Sequence, residues 1–144
     1  AYGARLKKKP YRVFCITGDG EFQEGSMWEA IQFAVKHKLN NLTVIIDHNH
    51  LQAMDFIINV MDSRETDLIK RLKGFGLSPV NCPGHDIRAL KKAIDPSGMF
   101  SKDAPRFIIA ETIKGFGLKC MENVPKFHFR IPTDEELSRG KCYE

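Results

Sequence analysis

The chain has no run approaching the ~18 apolar residues that a membrane-spanning helix requires, and its opening residues lack the pattern of a secretory signal. Its four cysteines, Cys15, Cys82, Cys120 and Cys142, lie far apart and make no CxxC pair. Two of them sit in apolar segments, so reduced, buried or incidental thiols are expected, in a reducing compartment such as the cytoplasm. No repeat, low-complexity tract or domain-dividing linker interrupts the sequence. Charge of one sign is scarce as well, with a formal net charge of +4, much of it in Arg5, Lys7, Lys8 and Lys9. No aromatic residues are interleaved with that run as stacking platforms for nucleic acid, so it reads as a solvated loop or helix end. An initiating methionine is also missing. The chain opens at Ala1 in what reads as the middle of an element, and a fragment, a processed chain or an incomplete one is the expectation.

What is present is the composition of a soluble globular domain: 144 residues, 42% hydrophobic and 28% charged. Apolar runs alternate with helical patterns. Residues 11–17 (YRVFCIT) read as a buried strand, and residues 27–39 as a helix with Ser26 and Glu29 in capping-box spacing. Trp28, Ile31, Ala34, Val35 and Leu39 recur at helical spacing, which assigns Trp28 to the core. Residues 42–47 (LTVIID) read as a second strand. An irregular stretch over 48–61 precedes a helix over 63–73, a short strand over 77–81 and a helix over 86–94. Residues 106–113 (RFIIAETI) form a further strand. After Gly115 the chain reads as loop until Thr133, where TDEE repeats the capping-box spacing. Strands separated by helices imply an α/β fold with a mostly parallel sheet.

In such sheets, ligands collect beyond the carboxyl ends of the strands. In "CITGDGEFQEGSMWEA", residues 15–30, Asp19 stands at that end of the first strand, between Gly18 and Gly20. Glycines there allow unusual backbone angles and close approach by a large group. The positive end of the following helix favours an anion. A carboxylate and a phosphate share a site only with a cation between them, and magnesium, with its octahedral oxygen shell, fits. A second oxygen is available from Asn49, thirty residues on, at the end of the second strand, and a third from the Leu51 carbonyl. GDG alone is as well read as a tight turn; the combination with the helix, the second strand and Asn49 carries the metal reading.

GDG, about thirty residues and Asn resemble the thiamine-diphosphate fingerprint. The longer stretch "GDGEFQEGSMWEAIQFAVKHKLNNLTVIIDHNHLQ" resembles transketolase, above all the split, two-subunit bacterial kind, and the likeness continues through "GFG" at 74–76, "GHDI" at 84–87, "IIAETIKGFG" and "MENVPKFH". The resemblance implies one partial thiamine-diphosphate-binding domain over 1–144, without the front section that carries further cofactor contacts in the family. It implies thiamine diphosphate and magnesium as cofactors, with Asp19, Asn49 and Leu51 as metal ligands and Gly18 and Gly20 beside the diphosphate. Glu24 matches a glutamate at the subunit interface, and His128 a histidine that reaches the diphosphate and the active-site cavity. The implied reaction carries a two-carbon ketol unit from a ketose phosphate to an aldose phosphate. The implied partner is a pyrimidine-binding subunit with the activating glutamate, in an oligomer inactive without it.

Three positions depart from the family: His50 and Phe129 stand where glycine is usual, and Phe56 where it is common. They bear on substrate choice more than on metal binding. His48 and His50, spaced i, i+2, suggest a zinc pair, but no third ligand of matching spacing lies nearby. The alternatives to a transketolase are another thiamine-diphosphate enzyme, of the phosphoketolase or deoxyxylulose-phosphate synthase type, and a non-catalytic subunit that retains the fold.

Overall fold

The computed structural model describes residues 1–53, 55–60, 65–95 and 103–139. Four strands, β1 (Val13–Gly18), β2 (Leu42–His48), β3 (Val80–Pro83) and β4 (Arg106–Glu111), form one parallel sheet in the order β1-β2-β4-β3. Around it lie helices α1 (Tyr2–Leu6), α2 (Gly25–Lys36), α3 (Ile57–Val60), α4 (Glu65–Gly74), α5 (Ile87–Ile94) and α6 (Asp134–Arg139). The expected α/β class is the observed one.

The two central strands are buried on both faces, as the near-continuous apolar runs LTVIID and RFIIA require. On one face Val44, Ile46, Phe107 and Ile109 pack with Phe22, Ile31, Leu72 and Leu77. On the other, Ile108 and Ala110 meet Cys82 and Ala93, with Ala89 and Leu90 of α5 against them. Ile46, Ile108, Ile109 and Leu72 are fully buried, each stabilising the fold by about 1.5–3 kcal/mol relative to an exposed position. Trp28 belongs to the first layer, stacked on Phe75 and edge-on to Phe22, its Nε1–H donating to the Phe22 carbonyl at 2.9 Å.

Several expectations change. β1 begins at Val13 and is not buried: Phe14 and Cys15 are exposed and Ile16 is 75% exposed. Its hydrogen-bonded neighbour among the described residues is β2 alone, and an edge strand has fewer surfaces to cover it. The Ser26–Glu29 capping box does not form, because α2 starts one residue before Ser26 and Glu24 occupies the N-cap. The Ser26 hydroxyl turns to the Glu24 carboxylate instead, at 3.3 Å. The third strand lies at Val80–Pro83 rather than 77–81, since Leu77 is drawn into the core and its N–H bonds the Leu72 carbonyl at the end of α4. Residues 61–64, where the helix read over 63–73 would begin, are outside the described residues. In the basic run, the Arg5 guanidinium donates to the His37 and Lys38 carbonyls that close α2.

The second capping box does form. The Thr133 hydroxyl accepts from the Glu136 N–H at 3.3 Å, and the Glu136 carboxylate accepts from the Thr133 N–H at 2.9 Å. That carboxylate also takes Arg130 and Lys126, each at 2.7 Å. Bonds from Arg130 first, then Lys126 and the Thr133 N–H, hold the Glu136 carboxyl far below its ordinary value. A depressed carboxyl contributes stability above its unfolded pKa and loses it as pH falls through the folded value. Amide exchange at 133–137 should therefore stay slow from neutral pH down past the ordinary carboxylate value of 4.5. In Glu136→Gln the same amides should exchange quickly already at neutral pH.

Candidate functional site

The carboxyl ends of the strands line up: Gly18 is level with Asp47, and His48 with Glu111, which is level with Pro83. Asp19 follows β1 and is fastened to the next strand, its N–H donating to the Asp47 carbonyl at 3.1 Å. Its side chain caps the 3₁₀ turn Gly20–Gln23, with Oδ1 accepting from the Gly20 N–H at 2.9 Å. Oδ2 accepts from the His50 N–H at 2.6 Å. The carboxylate is thus clamped between the ends of β1 and β2, and it is buried. Desolvation raises its pKa, only partly offset by the His50 N–H, the His48 ring and the Gly20 N–H. A buried carboxylate in that state is a place where a cation gains.

Asn49 is held as firmly. Its Oδ1 accepts from the Leu51 N–H at 3.0 Å, and its Nδ2 donates to Asp47 Oδ2 at 3.1 Å. The Thr112 hydroxyl donates to the other Asp47 oxygen. Between Asn49 and Leu51 the chain turns through His50 at φ +63°. This is the left-handed region, which costs an L residue about 1–2 kcal/mol and where glycine is at ease. The His50 N–H bond to Asp19 helps to hold it there.

Gly18, Asp19, Gly20, Glu24, Asn49, Leu51 and His128 all line one open cleft of about 580 Å³, together with Glu21, Asp47, Gln52, Ala53 and Lys114. Neither Gly18 nor Gly20 has a positive φ, so the backbone angles do not require glycine, and only at Gly20 is the space tight. A Cβ on Gly20 would meet Gln52 Cβ at 3.0 Å, and the Gly18 N–H donates to Glu21 Oε1 at 2.7 Å. Glu24 is exposed beside the cleft. In the 3₁₀ turn Pro125–His128, Phe127 takes the buried position, while His128 is exposed, with Phe129 edge-on at 5.2 Å.

Lys114, Asp47 and Thr112 were missed by the sequence reading. Lys114 follows β4 within the quoted "IIAETIKGFG", and the strand-end argument used for Asp19, applied to that strand, points to it. The histidine pair also gains what its spacing lacked: a donor atom of Asp19 lies within 4.8 Å of theirs, a candidate third ligand. None of the described cysteines lines the cleft. Cys82 is buried, its thiol pushed up by burial and then by Glu111 and Asp86. Cys15 is exposed, Cys120 half-buried, and Cys142 lies outside the described residues.

A parallel α/β domain whose polar cleft opens beyond the strands' carboxyl ends is of the class that binds ligands at that edge. The family described as transketolase, thiamine diphosphate binding domain, matches residues 7–141, and the chain belongs to that family. It is 34% identical over 140 residues to one subunit of the apulose-4-phosphate transketolase of Actinobacillus succinogenes, covering 95% of this chain and 48% of that protein. It is 38% identical over 128 residues to human transketolase, covering 88% of this chain and 19% of that one. The transketolase structure from Campylobacter jejuni matches with a TM-score of 0.71 at 27% identity, over 82% of this chain and 18% of that one. The chain thus spans about half the length of the Actinobacillus succinogenes relative and about a fifth of the transketolases. Among the described residues no helix is long and apolar enough to cross a membrane.

Proposed function

We propose that this chain holds thiamine diphosphate through magnesium and serves transketolase-type transfer of a two-carbon ketol unit from a ketose phosphate to an aldose phosphate. The active site would be shared with a pyrimidine-binding partner subunit. The observation that carries the proposal is the clamped, buried Asp19 carboxylate with Asn49 and Leu51 on the same cleft. Hard carboxylate, amide and carbonyl oxygens suit magnesium, which keeps its remaining positions for phosphate and water. Bound there, the cofactor would supply the carbanion chemistry of the transfer.

The chain's own residues would bind and orient. Asp19, held by two backbone N–H groups, and Asn49, held by the Leu51 N–H and by Asp47, would present oxygens without large rearrangement. Lys114 lies on the same cleft and would add positive charge toward the diphosphate. His128, exposed on it, would meet the diphosphate and the reacting end of the substrate. Glu24 would face the partner. The Actinobacillus succinogenes relative is named as a subunit of its transketolase, which supports a split enzyme.

Calorimetric titration of thiamine diphosphate into the protein with its partner subunit tests the reading. Binding should require magnesium and vanish with a chelator; no binding under either condition would favour a non-catalytic subunit. Turnover with an aldose phosphate, rather than with inorganic phosphate, separates transketolase from phosphoketolase chemistry. In the same assembly His128→Ala should lower kcat by roughly 100-fold, the lower end of general acid–base contributions, with the circular dichroism unchanged. Full activity in that variant would leave His128 a bystander.

A further inference from the structure

Asp19 also borders a second, smaller cavity of about 250 Å³, whose lining includes His48, His50, Phe22, Phe56, Ile57 and Arg71 but not Asn49 or Leu51. We propose that Asp19, His48 and His50 form a transition-metal site of the zinc class in that cavity, sharing Asp19 with the magnesium site but taking its other two ligands from histidines. One donor atom from each residue lies within 4.8 Å of the other two. A tetrahedral ion with bonds of about 2.0–2.1 Å would bring them to roughly 3.4 Å apart, so the longest separation has to close by no more than about 1.4 Å. Asp19 and His48 are held by hydrogen bonds, so the half-exposed His50 ring would supply most of that movement.

The donor set is two imidazoles and one carboxylate, which suits zinc, cobalt or nickel and is poorly matched to magnesium. Three protein ligands leave a fourth position open to water or a small anion. Asp19 and His48 are buried, while His50 is 46% exposed, so the ion would enter past His50.

A further group supports the site. The Glu111 carboxylate, level with His48 on β4, lies 3.0 Å from His48 Nδ1 and 3.6 Å from His50 Nε2. A His48 that donates its Nδ1–H to Glu111 carries its lone pair on Nε2. A carboxylate behind a ligating imidazole is the usual outer support of such centres, fixing the tautomer and the ring plane. The same geometry read without an ion is a polar network satisfied by Glu111 alone, and the experiment separates the two.

Cobalt(II) chloride is titrated into tag-free protein, with its partner subunit, in the absence of magnesium and thiamine diphosphate. The expected result is one equivalent bound, with the strong visible absorption of four- or five-coordinate cobalt, displaced by zinc. His50→Asn, which keeps a residue tolerant of the left-handed turn, should weaken binding at least tenfold and reduce the visible band. His48→Leu should abolish the band; should that variant misfold, His50→Asn decides by itself. His85→Asn, a histidine stacked on Phe116 away from the cavity, should bind as the parent does. Equal cobalt affinity in the parent and in His50→Asn, or only the weak spectrum of octahedral cobalt, overturns the proposal. Because no thiamine diphosphate is present, this result and the magnesium-dependent binding described above can fail independently.

Discussion

Replacing Asp19 by alanine should eliminate magnesium-dependent binding of thiamine diphosphate while leaving a folded protein. Loss of an outer-sphere partner typically weakens a metal site by about 10–100-fold, and loss of a ligand itself should exceed that, so affinity in the presence of magnesium should fall by more than about 100-fold. The effect on the fold is smaller, because two opposing changes accompany the substitution. The N–H groups of Gly20 and His50 lose their acceptor, at about 1–3 kcal/mol for each donor that stays dry. Against this, a buried carboxylate whose ionised form is disfavoured by desolvation is removed. Water entering the open cleft can reach the freed N–H groups and reduce the loss. Calorimetry of parent and variant, each with the partner subunit, reads the affinity, and circular dichroism reads the fold. An unchanged affinity in a folded variant would remove the metal site and, with it, the proposed function.

The parallel sheet was legible because buried central strands leave uninterrupted apolar runs, and LTVIID and RFIIA are such runs. YRVFCIT looks the same and yet lies half in solvent, because burial depends on what the tertiary structure brings alongside. The two capping-box spacings are equally good in sequence, but only Thr133–Glu136 closes. At the other, the 3₁₀ turn that Asp19 caps runs straight into α2 and leaves Glu24 at the N-cap, so Ser26 arrives inside the first turn. That outcome is decided by how the chain enters the helix, which spacing alone does not record. The position of Asp19 and Asn49 at neighbouring strand ends was legible from the strand-end argument and from family resemblance together. The Asp19–His48–His50 cluster was not, since its third member lies twenty-nine residues before the first histidine and only the adjacency of β1 and β2 closes that distance. The left-handed turn at His50 was half-legible: the family's usual glycine marked the position, and the structure supplies the reason.

Gly84→Ala should damage both stability and the site, although Gly84 touches none of the proposed metal ligands. Its N–H donates to the Glu111 carbonyl at 2.6 Å, which brings the loop after β3 hard against the end of β4. A Cβ at this position would overlap Thr112 Cγ2 and stand 2.8 Å from the Glu111 carbonyl oxygen and 3.2 Å from the Ala110 carbonyl carbon. Two of those three neighbours are backbone of a central strand, so the strand end itself has to move. Overpacking of this kind costs about 1–3 kcal/mol, or a fall of roughly 3–10 °C in Tm for a domain of this size. The displaced residue, Thr112, donates its hydroxyl to Asp47, and Asp47 accepts from Asn49 Nδ2. Movement of the β4 end therefore reaches Asn49 through two hydrogen bonds, and magnesium-dependent cofactor affinity should fall together with Tm. Thr112→Val separates the two routes, because it removes the hydroxyl without pushing the strand and should lower affinity with little loss of Tm. Gly25→Ala, where a Cβ meets nothing within 4 Å, should change neither. A Gly84→Ala protein that melts with the parent would show that β4 yields at its end at no cost, and the packing argument for the glycine of GHDI would fail.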